Sequence, residues 1–239
     1  TNVTKPSKIS TGATVAVHYH RSHAEAQELL ARLERLSAGH RLARADLTRE
    51  AERAALIPTL CQGGFEPNCL INNASTYHRR ALADLDDRQL AADYDVNFFA
   101  PLLLMRDFAR YCPAGNIINI LDQRVATVDP GAGAYSLAKK SLRDATEAAA
   151  VEWAPRIRVN AVAPGLVLPP PGVPEQKMIP LLANVPMGRP TLPDEVAAAC
   201  LFLAHSPTVT GLVLFVDGGM HLAAPMVREA LSDFTEEKV

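Results

Sequence analysis

The chain has 239 residues, 48% hydrophobic and 21% charged, a globular composition long enough for a single domain with a sizeable core. Its 24 Lys and Arg nearly balance 26 Asp and Glu, so no broad basic field exists to hold nucleic acid or an anionic membrane, and no apolar run approaches the ~20 residues of a membrane span. The four cysteines, Cys61, Cys69, Cys112 and Cys200, form no CxxC pair and no metal-ligand spacing, which fits free thiols in a reducing compartment and no metal site. At the N-terminus Thr1 to Ser10 is polar and lacks the apolar region of a secretory signal, so a cytoplasmic location is expected. Thr14 to His20 alternates apolar and polar residues and reads as a strand, and Ser22 to Leu36 repeats its apolar residues at helical spacing. A short strand at Arg41 to Ala45 leads to a helix ending near Leu60, with Asp46 or Thr48 placed to cap it. Cys69 to Ile71 is a short buried strand running into Asn72-Asn73-Ala74-Ser75, and a long helix is expected over roughly Asp87 to Tyr111. Asn116 to Leu121 reads as a buried strand, Ala134 to Trp153 as a helix, and Arg158 to Val162 as a strand ending at Ala163-Pro164-Gly165. A loop with Pro169, Pro170, Pro171 and Pro174 follows, then a helix from Pro193 to about Ala204 and a last strand from Gly211 to Val216.

Alternating strands and helices with near-continuously apolar strands predict an α/β fold, a doubly wound parallel sheet of Rossmann-like type with helices on both faces, as one domain over residues 1–239. Ligands of such sheets lie beyond the carboxyl ends of the strands, which directs attention to the residues after each strand. Tyr135 and Lys139 stand four apart at the start of a helix and share a face, so the ammonium is expected to lower the phenol's pKa toward the range useful for proton transfer. Asp122 ends the preceding strand, thirteen residues before Tyr135, and converges on the same pocket.

These residues, with Asn72-Asn73-Ala74-Ser75, Asn97, Asn119-Ile120, Tyr135-Ser136-Leu137-Ala138-Lys139, Arg158 to Gly165 and Val216-Asp217-Gly218-Gly219, resemble the short-chain dehydrogenase/reductase family from about Gly12 to Leu222. The resemblance implies that Tyr135 is the proton donor, that Lys139 holds the nicotinamide ribose and tunes the tyrosine, and that Asn97 anchors a water of the relay. Asp122 stands where most members have Ser, and Ser75 where most have Gly. Both departures, with the run His18-Tyr19-His20-Arg21-Ser22, resemble the pteridine reductases within that family. That likeness implies NADPH-dependent reduction of a dihydropterin, with Ser75, Tyr77, Asp122 and Tyr135 at the substrate and the Tyr77 ring stacked on it. A carboxyl at that place suits an amino-pyrimidine edge and ring nitrogens that take up protons. No acidic residue follows the second strand of the family, and His20, Arg21 and Ser22 fit a 2′-phosphate, hence NADP(H). By resemblance Asp46 and Leu47 meet the adenine, and Asn73, Ala74, Ser75, Lys139, Pro164 and Gly165 line the rest of the cofactor. The segment from Val167 to Pro190 is expected to be a substrate lid.

The family's first strand and its turn, TGxxxGxG, find no counterpart in Thr1 to Thr11, which holds no Gly and few apolar residues. The expected consequence is a slot between the strands at Thr14 and Cys69 and a weakened hold on the pyrophosphate. Alternatives therefore stay open: a reductase of another carbonyl or imine, or a non-catalytic pterin-binding or scaffold protein. A homotetramer packed through the long helix and the helix of Tyr135 is implied by the family.

Overall fold

The computed structural model describes residues 12–169 and 174–223. Thr1 to Thr11, and Pro170 and Pro171 of the proline-rich loop, lie outside the described residues. Among the described residues six strands and six α-helices follow the strand–helix order that the periodicity predicts, with α3 and α4 in succession where one helix is expected: β1 (Ala16–Tyr19), α1 (His23–Glu34), β2 (Arg41–Arg44), α2 (Glu50–Gln62), β3 (Cys69–Asn72), α3 (Asp87–Tyr94), α4 (Ala100–Tyr111), β4 (Gly115–Ile120), α5 (Gly133–Glu152), β5 (Ile157–Pro164), α6 (Pro193–Ala204) and β6 (Val213–Val216). All strand pairs are parallel, as strands linked through crossover helices must be.

The single sheet expected from the sequence is divided. β1 pairs with β2, and β3, β4, β5 and β6 form a separate four-stranded sheet in that order. Among the described residues no strand bonds to the outer edge of β1 or of β3. On one face of β3 Cys69 is exposed and Ile71 is 49% exposed, so that face is poorly covered. One hydrophobic core nevertheless joins both parts: Ala45, Leu47 and Ile57 beside β2 pack with Leu104, Met105, Phe108 and Ile117 around β4.

Two boundaries differ from expectation for local reasons. Asp46 does not cap α2; its Oδ1 accepts from Thr48 N at 3.1 Å and Thr48 Oγ1 at 2.7 Å, and the helix starts later with Glu52 reaching back to Asp46 N at 2.8 Å. The long helix over Asp87 to Tyr111 is interrupted by a π-helical turn, Asp95–Phe99, between α3 and α4. Much of the family-like motif set works as cement. Asn72 Nδ2 donates to Asn119 Oδ1 at 2.8 Å, and Asn119 Nδ2 donates to Thr146 Oγ1 at 2.8 Å, tying β3, β4 and α5 inside the core. Arg158 donates to Leu203 O and Ala204 O and so caps the C-terminal end of α6. No helix among the described residues is long and apolar enough to cross a membrane.

Candidate active site

Parallel strands deliver their carboxyl ends to one edge of each ladder, and the candidate residues gather there. Asp122 follows β4 and opens a 3-10 turn, Gln123–Val125, by accepting from Arg124 N at 2.8 Å. Across from it, the first turn of α5 presents Tyr135, whose hydroxyl donates to Asp122 Oδ2 at 3.1 Å. One turn on, Lys139 is 2% exposed, and its Nζ donates to Ile120 O at 2.8 Å while standing 5.9 Å from the Tyr135 ring centroid. The structure therefore brings Asp122, Tyr135 and Lys139 together as the sequence predicts.

The electrostatics run against the simple Tyr-Lys expectation. Burial first, and then the facing Asp122 charge and hydrogen bond, push the Tyr135 phenol well above its ordinary value of 10.0, with Arg124 and Ser75 lowering it less. Lys139 does not dominate because its ammonium is turned to a backbone carbonyl. Burial pulls Lys139 down to about 8, against the opposing pull of Asp122. The site thus sets a phenol pushed toward its protonated form beside Asp122 and a lysine brought down to about 8.

Asn97 sits in the π turn, fully buried, and its amide is spent on the loop after β3. Its Oδ1 accepts from Ser75 Oγ at 2.7 Å and Thr76 N at 3.3 Å, and its Nδ2 donates to Thr76 O at 2.9 Å and Asp93 O at 3.0 Å. By these contacts its side chain positions Ser75 and the loop that carries Tyr77. The Tyr77 ring, 39% exposed, meets the Tyr135 ring edge-on at 4.9 Å and 86°, with the Arg124 guanidinium 5.4 Å from its centroid.

A concavity lies at the end of β1. Tyr19, His20, Arg21, His23 and Arg44 line an open hollow of about 410 Å³, and no carboxylate is among its walls. Arg44 is brought there by the parallel register that sets it opposite Tyr19. Ser22 is the N-cap residue of α1, yet its hydroxyl makes no capping bond. Asp46 Oδ2 stands 3.5 Å from His20 Nε2, and Leu47 is buried in the core, which leaves only its backbone for a ligand. Asn73 and Ala74 are exposed immediately beyond β3. Pro164 ends β5, and Gly165 N donates to Val216 O at 3.1 Å; a Cβ on Gly165 would lie 2.8 Å from Asp217 Cα, so only glycine fits that crossing. Beyond it the expected lid contains a 3-10 segment, Glu175–Asn184, fastened behind by Met187 N donating to Gly218 O at 3.1 Å.

Sequence reasoning missed Arg124, Asp129, Arg79 and Arg44. Arg124 Nη1 reaches both Asp122 oxygens at 3.2 and 3.1 Å, its Nε donates to Asp129 Oδ2 at 2.9 Å, and Arg79 approaches Asp129 at 3.5 Å. The signal available was Asp122-Gln123-Arg124, an Asx turn that folds the arginine back on its own cap. For Arg44 it was a cation in the strand next to the His20-Arg21 end. Among the described residues no group of three His, Cys, Asp or Glu side chains could hold a metal ion.

Comparison with known proteins agrees with this architecture. Residues 9–221 match the family model described as enoyl-(acyl carrier protein) reductase, adh_short_C2. Galactitol 2-dehydrogenase of Rhizobium johnstonii is 34% identical over 221 residues, 87% of this chain and 85% of that protein. Glucose 1-dehydrogenase 2 of Bacillus subtilis is 30% identical over 219 residues, with the same coverage. A crystal structure of FolM alternative dihydrofolate reductase 1 from Brucella suis in complex with NADP superposes with a TM-score of 0.85 at 29% identity, covering 91% of this chain and 88% of that one. The corresponding Brucella canis protein, also complexed with NADP, gives 0.83 at 29% identity, covering 91% and 87%. With a family model matched over most of its length and a catalytic-type Tyr-Lys pair at the strand ends, the chain belongs to the short-chain dehydrogenase/reductase family.

Proposed function

We propose that the protein is an NADPH-dependent reductase of the pteridine reductase type, acting on a dihydropterin or a related pteridine. The observation that carries this reading is Asp122, a carboxylate in direct contact with Tyr135 where a serine is the usual occupant. Likeness to the NADP-bound FolM structures supports it, and so does the aromatic wall of Tyr77 beside the pair.

The donor set fits the cofactor. His20, Arg21, Ser22 and Arg44 would hold the 2′-phosphate, since a hollow walled by cations and imidazoles, with no carboxylate, favours a phosphate over a free ribose hydroxyl. Asp46 and Leu47 would meet the adenine, and Asn73, Ala74, Ser75, Lys139, Pro164 and Gly165 would line the remainder. NADPH supplies a hydride when bound. Tyr135 holds the proton that balances that hydride on the substrate nitrogen, and its raised pKa keeps it loaded across the ordinary pH range. Lys139, held by the Ile120 carbonyl one helical turn from Tyr135, would bind the ribose of the cofactor and keep a cation beside the pair. Asp122 orients the phenol, and its negative charge faces the side on which an amino-pyrimidine edge would bind. The net change is one hydride and one proton added across a carbon–nitrogen double bond.

A second reading, reduction or oxidation of another carbonyl or alcohol, is favoured by the galactitol and glucose dehydrogenases among the relatives. Titration of the purified chain with NADPH, followed by a dihydropterin, separates the two. Micromolar cofactor binding with NADPH oxidation on adding the pterin is expected. Oxidation with sugars or ketones alone would favour the second reading, and no binding at millimolar NADPH would leave a pterin-binding or scaffold protein. In Tyr135→Phe, turnover should drop by ~100-fold or more with NADPH affinity retained; normal turnover would remove the proton-donor role. We further propose a homotetramer, supported by half-exposed apolar residues on the helices the family would pack, Phe99 at 43%, Tyr111 at 53% and Leu137 at 45%; light scattering of the eluted protein decides it.

A further inference from the structure

The acceptor positions of Asp122 are filled from its own chain. Oδ1 takes the Arg124 backbone N–H at 2.8 Å and Nη1 at 3.2 Å, and Oδ2 takes the same Nη1 at 3.1 Å and the Tyr135 hydroxyl at 3.1 Å. An ionised carboxylate has about four lone-pair sites, so these four bonds fix its rotamer. Arg124 is braced in turn. Its Nε donates to Asp129 Oδ2 at 2.9 Å, and Asp129 Oδ1 is itself pinned by Gly131 N at 3.0 Å. Arg79 reaches Asp129 from the outside at 3.5 Å, so alternating charges run from the rim to the phenol. The side chains of Arg124 and Asp122 are 18% and 15% exposed, shielded enough for the geometry of the pair to matter more than it would on the surface.

We propose that Arg124, braced by Asp129, is a positioning residue that keeps the Asp122 carboxylate turned to the Tyr135 hydroxyl and so fixes the direction in which the phenol proton points. The guanidinium touches neither Tyr135 Oη nor, on this geometry, the reacting atoms; it acts through Asp122. The same group lies over Tyr77 and holds that ring edge-on to Tyr135. Its positive charge also lowers the Tyr135 phenol against the upward pull of burial and Asp122. The effect on turnover rests on the reductase reading, whereas the effect on Tyr135 does not.

The test compares wild type with Arg124→Ala, Arg124→Gln, Arg124→Lys and Asp129→Asn, each labelled with ¹³Cζ-tyrosine. Tyr135→Phe assigns its resonance among the five tyrosines. The Tyr135 signal is expected to move in Arg124→Ala and Arg124→Gln, less in Asp129→Asn, and to return toward wild type in Arg124→Lys, which keeps a cation. In parallel, kcat for a dihydropterin should fall ~10- to 100-fold in Arg124→Ala and Arg124→Gln, with KM for NADPH little changed and partial recovery in Arg124→Lys. A Tyr135 signal unmoved in folded Arg124→Gln overturns the proposal, as does a change in melting temperature with Tyr135 and kcat both unchanged. Should Arg124→Ala fail to fold, Arg124→Gln and Asp129→Asn still decide it. Wild type inactive on every dihydropterin would overturn the reductase reading instead, and the resonance would still judge Arg124.

Discussion

Lys139 carries the heaviest electrostatic cost in the site. The Lys139 residue is 2% exposed, and its ammonium donates to the Ile120 carbonyl at 2.8 Å while Asp122 pairs with Arg124. Burial lowers its pKa to about 8 from an ordinary 10.5, so between those values the unfolded chain binds a proton that the folded chain has lost. The Lys139 contribution to stability should therefore rise as pH climbs from about 8 to 10.5, its penalty being complete below 8, while the thiols of Cys69, Cys112 and Cys200, each pushed by burial up to about 11, contribute a fall above about 9. Lys139→Met should abolish that slope and stabilise the protein at pH 7 by up to about 3 kcal/mol while ending turnover, a trade measurable by urea unfolding at several pH values. A slope unchanged in the variant would show that another group titrates there. Asp122→Ala should cut pterin turnover far more than NADPH affinity, and an unchanged rate would remove the main reason for choosing a pterin. The i,i+4 spacing of Tyr135 and Lys139 and the strand-end place of Asp122 were legible in the sequence, because face-sharing and topology follow from period and element order. The sign of the tyrosine's shift was not. Spacing tells which side chains are neighbours, and it leaves open whether Lys139 bonds the phenol or, as here, the Ile120 carbonyl.

Elements were read best where their period is long and their ends are punctuated. α5, expected over Ala134 to Trp153, runs over Gly133–Glu152, and α6 starts at Pro193 as its proline requires. The break between α3 and α4 left no such mark, since Asp95-Val96-Asn97-Phe98-Phe99 contains neither Pro nor Gly and keeps its apolar residues on a plausible helical face. A π turn inserts one residue without changing composition, yet it is what aims Asn97 at the Ser75–Thr76 loop. Asn97→Ala should leave Ser75 Oγ and Thr76 N–H without that acceptor, at a cost of about 2–3 kcal/mol in unfolding free energy and with faster amide exchange at Thr76 and Tyr77. Unaltered exchange there would mean that the loop is held by other contacts. Asn119, by contrast, serves the core: Asn119→Ala would orphan the Asn72 amide and the link to Thr146, which predicts a similar loss of stability with little change in the Tyr135 surroundings.

The whole molecule is shaped by a ladder interrupted between β1 and β3. Each is bonded on one side only among the described residues, at the slot expected from the sequence. In a parallel pair, alternate peptide groups of a strand point to alternate neighbours, so half of the amides of β3 serve β4 and the other half face the slot. Ile71 at 49% exposure and the exposed Cys69 show that side chains there also lack the cover that β4 and β5 enjoy, where Ile117, Ile118, Val159 and Val162 are fully buried. The residues proposed for the cofactor follow strands of both ladders, His20 and Arg21 after β1 and Asn73, Ala74 and Ser75 after β3. The join between the two ladders therefore bears on how rigidly the hollow at the end of β1 is held against the Asp122 and Tyr135 pair. Native-state hydrogen exchange reads the ladder directly. The slot-facing amides of β1 and β3 should exchange orders of magnitude faster than those of β4 and β5, with NADPH slowing them if the cofactor clamps the two parts together. Protection of β3 equal to that of β4 in the free protein would show the edge already paired, and the molecule would then be a continuous sheet with its two ligand regions fixed before any ligand binds.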